Sequence, residues 1–197
     1  MDRTYVNIHT HRPTGRHIEL RTAGIHPWEA GRRSADTLPP FDDGVQAVGE
    51  IGLDYACDVP REAQLTLFRE QLRIARERGL PVVLHCVRAF EATMRELAAI
   101  PPRAAILHGF IGSPEQARQA LGRGHFLSFG ERTFASPKTL AALRATPLER
   151  LFVETDESDT PIETLYARIA EARGTDAETL RRAVRANYER IFGTRHG

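Results

Sequence analysis

The sequence predicts an α/β protein of the TIM type, a shortened (β/α) barrel with seven parallel strands. Three observations lead there. Short apolar runs recur along the chain, helical stretches separate most of them, and several stop on a histidine or a carboxylate. Continuous apolar runs of this length suit strands buried on both faces, as in parallel sheets. Strands alternating with helices imply βαβ units. In a barrel of such units the C-terminal strand ends open onto one face, and the chemistry collects there.

The first strand runs from Tyr5 to about His9 and ends in His9-Thr10-His11. Arg12 to Arg21 is a short polar stretch holding Pro13 and Gly15, too short for a helical crossover plus a strand. The second strand, Ala23 to His26, ends in Pro27-Trp28. Glu29 to Gly44 is rich in Pro, Asp and Arg and reads as a loop with at most a helical turn. The third strand, Val45 to Ile51, carries Glu50. Pro60 then opens a helix whose Leu65, Phe68, Leu72 and Ala75 recur at helical spacing before Gly79 closes it. The fourth strand is Leu80 to Cys86, followed by a helix over Ala89–Ala99 that stops before Pro101-Pro102.

The fifth strand is Ala104 to Phe110. Ser113-Pro114-Glu115 is an N-cap with proline at the first helical position, and that helix ends near Gly122 to Gly124. The sixth strand is His125 to Phe129, Ser136-Pro137 starts a further helix, and the seventh strand is Arg150 to Asp156. Thr160-Pro161 begins a helix ending at Gly174. Thr175-Asp176-Ala177-Glu178 resembles a capping box for a last helix reaching Phe192. A barrel normally closes with eight strands, and the deficit falls between the first two, where the crossover is missing.

The 197 residues suit one domain over residues 1–197, and the 41% hydrophobic content fits a globular chain. A formal charge of +1 speaks against a whole-surface polyanion binder. Cys57 and Cys86 lie far apart and form no zinc-knuckle or disulfide pattern, so reduced thiols in the cytoplasm are expected. The N-terminus lacks the regions of a signal peptide, and no apolar run reaches membrane-spanning length.

The polar residues at the strand ends carry the chemistry. His9 and His11, two apart on a strand, point to one face and can share a cation at about 2.0–2.1 Å; the alternative is a pair of surface histidines. Glu50 lies among Val48, Gly49, Ile51 and Gly52, where a carboxylate is costly to bury without a cation or donors; an ion pair with an arginine is the alternative. His85 and His108 each follow an apolar run on consecutive strands, and the repetition favours ligands over core histidines. Asp156 ends the last strand as ligand or helix cap, and Glu154, on the same face, is a ligand or an acceptor for a ligand histidine. Four imidazoles and two or three carboxylates in one volume describe a metal site for two ions. No G-x-S-x-G elbow, C-x-x-C or phosphate-binding glycine loop competes.

Asn7-Ile8-His9-Thr10-His11, Ala23-Gly24-Ile25-His26-Pro27 and Val48-Gly49-Glu50-Ile51-Gly52-Leu53-Asp54-Tyr55 are followed by Leu84-His85-Cys86, Leu107-His108-Gly109-Phe110 and Val153-Glu154-Thr155-Asp156. In this order they resemble the successive motifs of the TatD family, metal-dependent hydrolases usually described as deoxyribonucleases on a TIM-type barrel. The resemblance implies His9, His11, Glu50 and Asp156 around one ion, with Glu50, His85 and His108 around the other. It also implies a substrate phosphate against His26. The chain departs from the pattern at Asn7, where the family usually has Asp, and at Glu157-Ser158-Asp159, where it often continues Ala-Pro.

The expected activity is two-metal-dependent hydrolysis of phosphodiester bonds, as by a TatD-like deoxyribonuclease of the 3'-5' exonuclease type. Two divalent cations, Zn, Mg or Mn, would stand about 3.5–4 Å apart, bridged by Glu50. Asp156 is the expected base, and His26 with Arg88, joined by Arg12 or Arg132, would hold phosphate oxygens. The expected partner is single-stranded DNA or a small phosphoester, with no membrane and no obligate protein partner. The alternatives are an amidohydrolase-like barrel acting on C–N or lactone bonds and a non-catalytic metal-binding relative.

Overall fold

The structure, a computed structural model, describes residues 4–193. Among them are eight strands: β1 Val6–Asn7, β2 Ile18–Glu19, β3 Thr22–Ala23, β4 Ala47–Asp54, β5 Val82–Val87, β6 Ala105–Leu107, β7 Phe126–Phe129 and β8 Leu151–Val153. Six α-helices lie between and after them: α1 Arg61–Glu77, α2 Phe90–Ala99, α3 Pro114–Gly122, α4 Pro137–Ala145, α5 Ile162–Arg173 and α6 Ala177–Phe192. By their contacts these fall into two compact units. One takes the chain up to Leu20 and from His108 on, the other Arg21–Leu107.

In the first unit β1 lies between β2 and β8. Val6 pairs with Ile18, the Ile8 N–H donates to Val153 O at 3.1 Å, and the Asp156 N–H donates to His9 O at 3.1 Å. β8 pairs in parallel with β7, Leu127 opposite Leu151. β2 is the strand that the polar stretch after His11 concealed. What replaces a crossover helix there is a turn folded around the Glu19 carboxylate, which accepts the Thr14 and Gly15 amides at 2.9 and 2.8 Å and the Thr14 hydroxyl at 2.8 Å. Apolar burial holds the rest: α5 and α6 pack on β8, and the Tyr166 hydroxyl of α5, fully buried, donates to Val6 O at 2.8 Å.

In the second unit the order is β3-β4-β5-β6, all parallel. β4 is buried on both faces, as its Val48, Ile51 and Leu53 require, and α1 packs on it. The strand runs past the expected end at Ile51 to Asp54 because its ladder with β5 resumes after an irregularity. Val48 faces Val82 and Ile51 faces Leu84, so three steps on β4 match two on β5. The extra residue is a bulge at Gly49-Glu50, the device that re-aims a side chain beside a site.

Serine caps start α3 and α4 as expected, Ser113 forming a full capping box with Gln116. The cap of α6 is one residue later than the sequence suggested. Asp176, not Thr175, accepts the Thr179 N–H at 2.8 Å and also the Thr179 hydroxyl at 2.7 Å, two charge-assisted bonds that a threonine cap cannot match. Among the described residues no helix is long and apolar enough to cross a membrane.

Candidate metal centre

In the second unit the bulge turns Glu50 toward two histidines. Its Oε1 lies 2.7 Å from His85 Nδ1 and 3.3 Å from His26 Nε2, and the Glu50 side chain is nearly buried. One donor atom from each of the three lies within 4.8 Å of the others. His85 is aimed by the strand pairing: Gly52 stands opposite it at φ 141°, and a Cβ there would sit 2.0 Å from His85 O. Only glycine permits that approach.

The other nitrogen of His85, Nε2, lies 3.0 Å from Asp54 Oδ2. That carboxylate also accepts the Trp28 indole N–H at 2.7 Å and the Ala56 amide at 2.9 Å. Burial pushes the Asp54 carboxyl up, but the Trp28, Ala56 and His85 contacts outweigh it and hold the group below its ordinary range. An Nε2–H given to Asp54 leaves Nδ1 facing Glu50, the carboxylate–histidine arrangement that orients a metal ligand. His26 is fixed in the same manner. It caps a 3-10 turn, Pro27–Glu29, with Nδ1 accepting the Trp28 N–H at 3.3 Å, which assigns the proton to Nε2.

Two buried glutamines hold these strand ends. Gln71 of α1 accepts the Ile25 N–H at 2.7 Å and donates to Ile25 O at 3.0 Å. Gln64, two turns earlier on the same face, accepts the Asp54 N–H at 2.7 Å and donates to Asp54 O at 2.8 Å.

In the first unit Asp156 meets two histidines. Its Oδ1 lies 3.4 Å from His11 Nε2 and 3.6 Å from His9 Nε2, and donor atoms of the three lie within 4.8 Å of one another. The His9 ring stands 4.2 Å from that of His108. Asp156 adopts φ 53°, a left-handed conformation that aspartate tolerates better than most residues and that collects at functional sites. The turn is stitched in place by Asn7, whose amide donates to Thr155 Oγ1 at 2.9 Å and accepts the Thr155 N–H at 3.0 Å. An aspartate there would have no donor for the first bond.

Glu154 takes the part of acceptor: its Oε1 lies 3.3 Å from His108 Nδ1, and the side chain is buried. Burial pushes its carboxyl up, yet His108 and His9 outweigh that and leave it below its ordinary value. Among the described residues its second oxygen is buried with no hydrogen-bond partner.

His9, His11, His108 and Asp156 thus come together in one unit, and Glu50, His85 and His26 in the other. Arg88 does not join them. It is exposed at φ 50° after β5, and among the described residues its side chain has no hydrogen bond or ion pair. Arg12 is ion-paired with Asp159, while Arg132 lines a 280 Å³ cavity that reaches Glu154 and Asp156. Asp54, Trp28, Gln64 and Gln71 were not foreseen. Asp54 carried a signal, a carboxylate ending the run Ile51-Gly52-Leu53, and the glutamines another, two amides seven apart on an apolar helix face.

The donors fit divalent cations. Imidazole nitrogens alternate with carboxylate oxygens at hydrogen-bonding to near-contact distances, and Glu154 keeps a buried acceptor oxygen unpartnered in the same cluster. An α/β fold of parallel strands with such donors at their C-terminal ends defines a metal-dependent hydrolase.

A family profile described as TatD related DNase matches residues 17–193. The chain belongs to the TatD family. It is 32% identical over 204 residues to the "3'-5' ssDNA/RNA exonuclease TatD" of Citrobacter rodentium, covering 87% of this chain and 76% of that protein. It is 30% identical to the "Uncharacterized metal-dependent hydrolase YjjV" of Escherichia coli K12, covering 86% and 74%. The crystal structure of the E. coli YjjV protein superposes with a TM-score of 0.78 at 27% identity, covering 89% of this chain and 77% of that one. A TatD family hydrolase from Entamoeba histolytica gives 0.76 at 19% identity, covering 91% and 76%. The likeness in fold is that of the shortened TIM-type α/β barrel expected from the sequence.

Proposed function

We propose that this hydrolase cleaves phosphodiester bonds in single-stranded nucleic acid or in small phosphoesters, as a 3'-5' exonuclease, using two divalent cations. The observation that carries the reading is the pair of donor sets, His9–His11–Asp156 and Glu50–His85 with His26, each gathered within 4.8 Å. The name of the C. rodentium relative supports the substrate class. His9, His11 and Asp156 would hold one cation and Glu50 with His85 the other, with His108 oriented by Glu154. Bound there, the cations supply Lewis acidity, activating water at neutral pH and stabilising charge on phosphoryl oxygens.

The protein's own groups do the rest. Asp156, partly exposed at the end of its strand run, takes the proton of the attacking water. With Nδ1 committed to the Trp28 amide, His26 carries its proton on Nε2, which faces Glu50 at 3.3 Å; once a cation takes up the Glu50 carboxylate, that N–H turns to a phosphate oxygen. Arg88 and Arg132 add charge from the surrounding loops. The two unpaired cysteines fit a cytoplasmic setting.

Elemental analysis of protein purified without chelator should find two divalent cations per chain. A panel of oligonucleotides, nucleotide esters, amides and lactones under Mg²⁺, Mn²⁺ and Zn²⁺ should show turnover on phosphodiesters. Glu50→Ala should lower that turnover by at least about 10²–10³-fold with the far-ultraviolet circular dichroism unchanged. Turnover confined to amides or lactones would overturn the reading.

A further inference from the structure

Trp28 is the chain's only tryptophan, and the residue is 56% exposed. An indole left in water costs free energy, since burial of such a ring is among the larger hydrophobic gains available. The exposure is not looseness. The indole N–H is held by the buried Asp54 carboxylate at 2.7 Å, and the ring meets His26 edge-on with centroids 4.7 Å apart. His85 stands 6.2 Å away, again edge-on. The ring is therefore fixed in orientation beside the histidine assigned to phosphate.

Four other aromatic rings of the molecule are covered by a guanidinium. Tyr55, Phe41, Phe126 and Phe134 each carry an arginine guanidinium over the ring, at 4.4, 4.5, 4.8 and 4.1 Å from the centroid. Among the described residues no guanidinium covers Trp28. Among the described residues Trp28 is the one aromatic side chain among the exposed large hydrophobics, and it stands beside His26.

We propose that Trp28 is the stacking platform for the base of the nucleotide whose phosphate is held at His26. The assignment rests on the phosphodiester reading above. It fits the charge of the chain: a formal +1 gives no broad basic surface to grip phosphates away from the site, whereas base–aromatic stacking is strong and tolerant of sequence. It also narrows the substrate class, because a platform of this kind favours nucleotides over phosphoesters that lack a base.

The sole tryptophan makes the test direct. Metal-loaded protein is titrated with a short oligothymidylate protected by phosphorothioate linkages and with an abasic phosphorothioate chain of equal length and charge. Trp28 fluorescence should be quenched by the first and not by the second, and the base-bearing chain should bind about tenfold more tightly. By anisotropy of labelled chains, Trp28→Phe should keep that preference and Trp28→Ala should bring the ratio close to one. Metal content of each variant is measured alongside. If Trp28→Ala weakens both chains equally and loses metal, Trp28 only supports Asp54, and the stacking role is overturned. Equal binding of the two chains by the native protein, with unprotected versions of both cleaved, overturns stacking alone. If neither chain binds and no phosphodiester is cleaved, the phosphodiester reading falls and the assignment falls with it.

Discussion

At the scale of single residues, the candidate site depends on carboxylates that never need touch a metal. Asp54 faces His85 Nε2, the Trp28 indole and the Ala56 amide at once, so it sets the tautomer and orientation of one proposed ligand and the pose of the exposed indole. Asp54→Asn keeps the shape. Depending on its flip, however, the amide presents either an acceptor or a donor to the two N–H groups that now share Oδ2. Metal affinity at the Glu50–His85 set should fall about 10- to 100-fold, the usual effect of losing a carboxylate behind a histidine ligand. Competition with a chromophoric chelator measures this without reference to turnover; an unchanged affinity would show that His85 needs no partner to hold its ring. Glu154 stands to His108 as Asp54 stands to His85, which is one arrangement used twice at the ends of different strands.

At the scale of elements, α1 does more than cover a sheet. Its Leu65, Phe68, Leu72 and Ala75 are buried, while Gln64 and Gln71 on that buried side grip the backbone of Asp54 and Ile25. Gln71→Leu would leave the buried N–H and C=O of Ile25 without partners, at a cost of about 2–3 kcal/mol for the two groups together. Urea unfolding should register the loss as a lower midpoint with an unchanged slope. Because Ile25 precedes His26, KM for the phosphodiester should rise more than kcat falls; a stability loss with unaltered KM would separate the clamp from the site. The strand ends were legible in the sequence because an apolar run closed by histidine or carboxylate is a local pattern. His9, His108 and Asp156 lie just past the ends of β1, β6 and β8, whereas Glu50 and His85, singled out by the same pattern, stand inside β4 and β5. The glutamine clamps and the Asp54 relay were not, because each is a long-range contact whose local signature is one polar residue on an apolar face. β2 was hidden for a related reason: the strand is two residues long, and the turn before it is organised by Glu19 reaching back to Thr14 and Gly15.

At the scale of the whole molecule, acid sensitivity has a source away from the site. His125 opens β7 from the preceding turn, where Arg150 is held against Gly124 O at 2.9 Å and over the Phe126 ring. Burial, with Arg123 and Arg150 close by, lowers the imidazole from its ordinary 6.5 to about 4. The unfolded chain takes up this proton near the ordinary value and the folded chain refuses it until far lower. Between the two values the unfolded state binds more protons, so acidification favours unfolding. The contribution is fully present above about pH 6.5 and lost as pH falls toward 4, with a ceiling of about 3 kcal/mol at one pKa unit per 1.36 kcal/mol. His125→Gln removes the proton uptake while leaving the carboxylates that also titrate in acid, Glu96 on Arg69 among them. Urea midpoints measured with chelator present, so that cation release does not enter, should move in the variant's favour, relative to the native protein, as pH falls from about 7.5 to about 4.5. The native protein should lose stability more steeply over that interval. Parallel curves would mean that His125 takes its proton in the folded state after all, and that the loss of stability in acid lies wholly with the carboxylates.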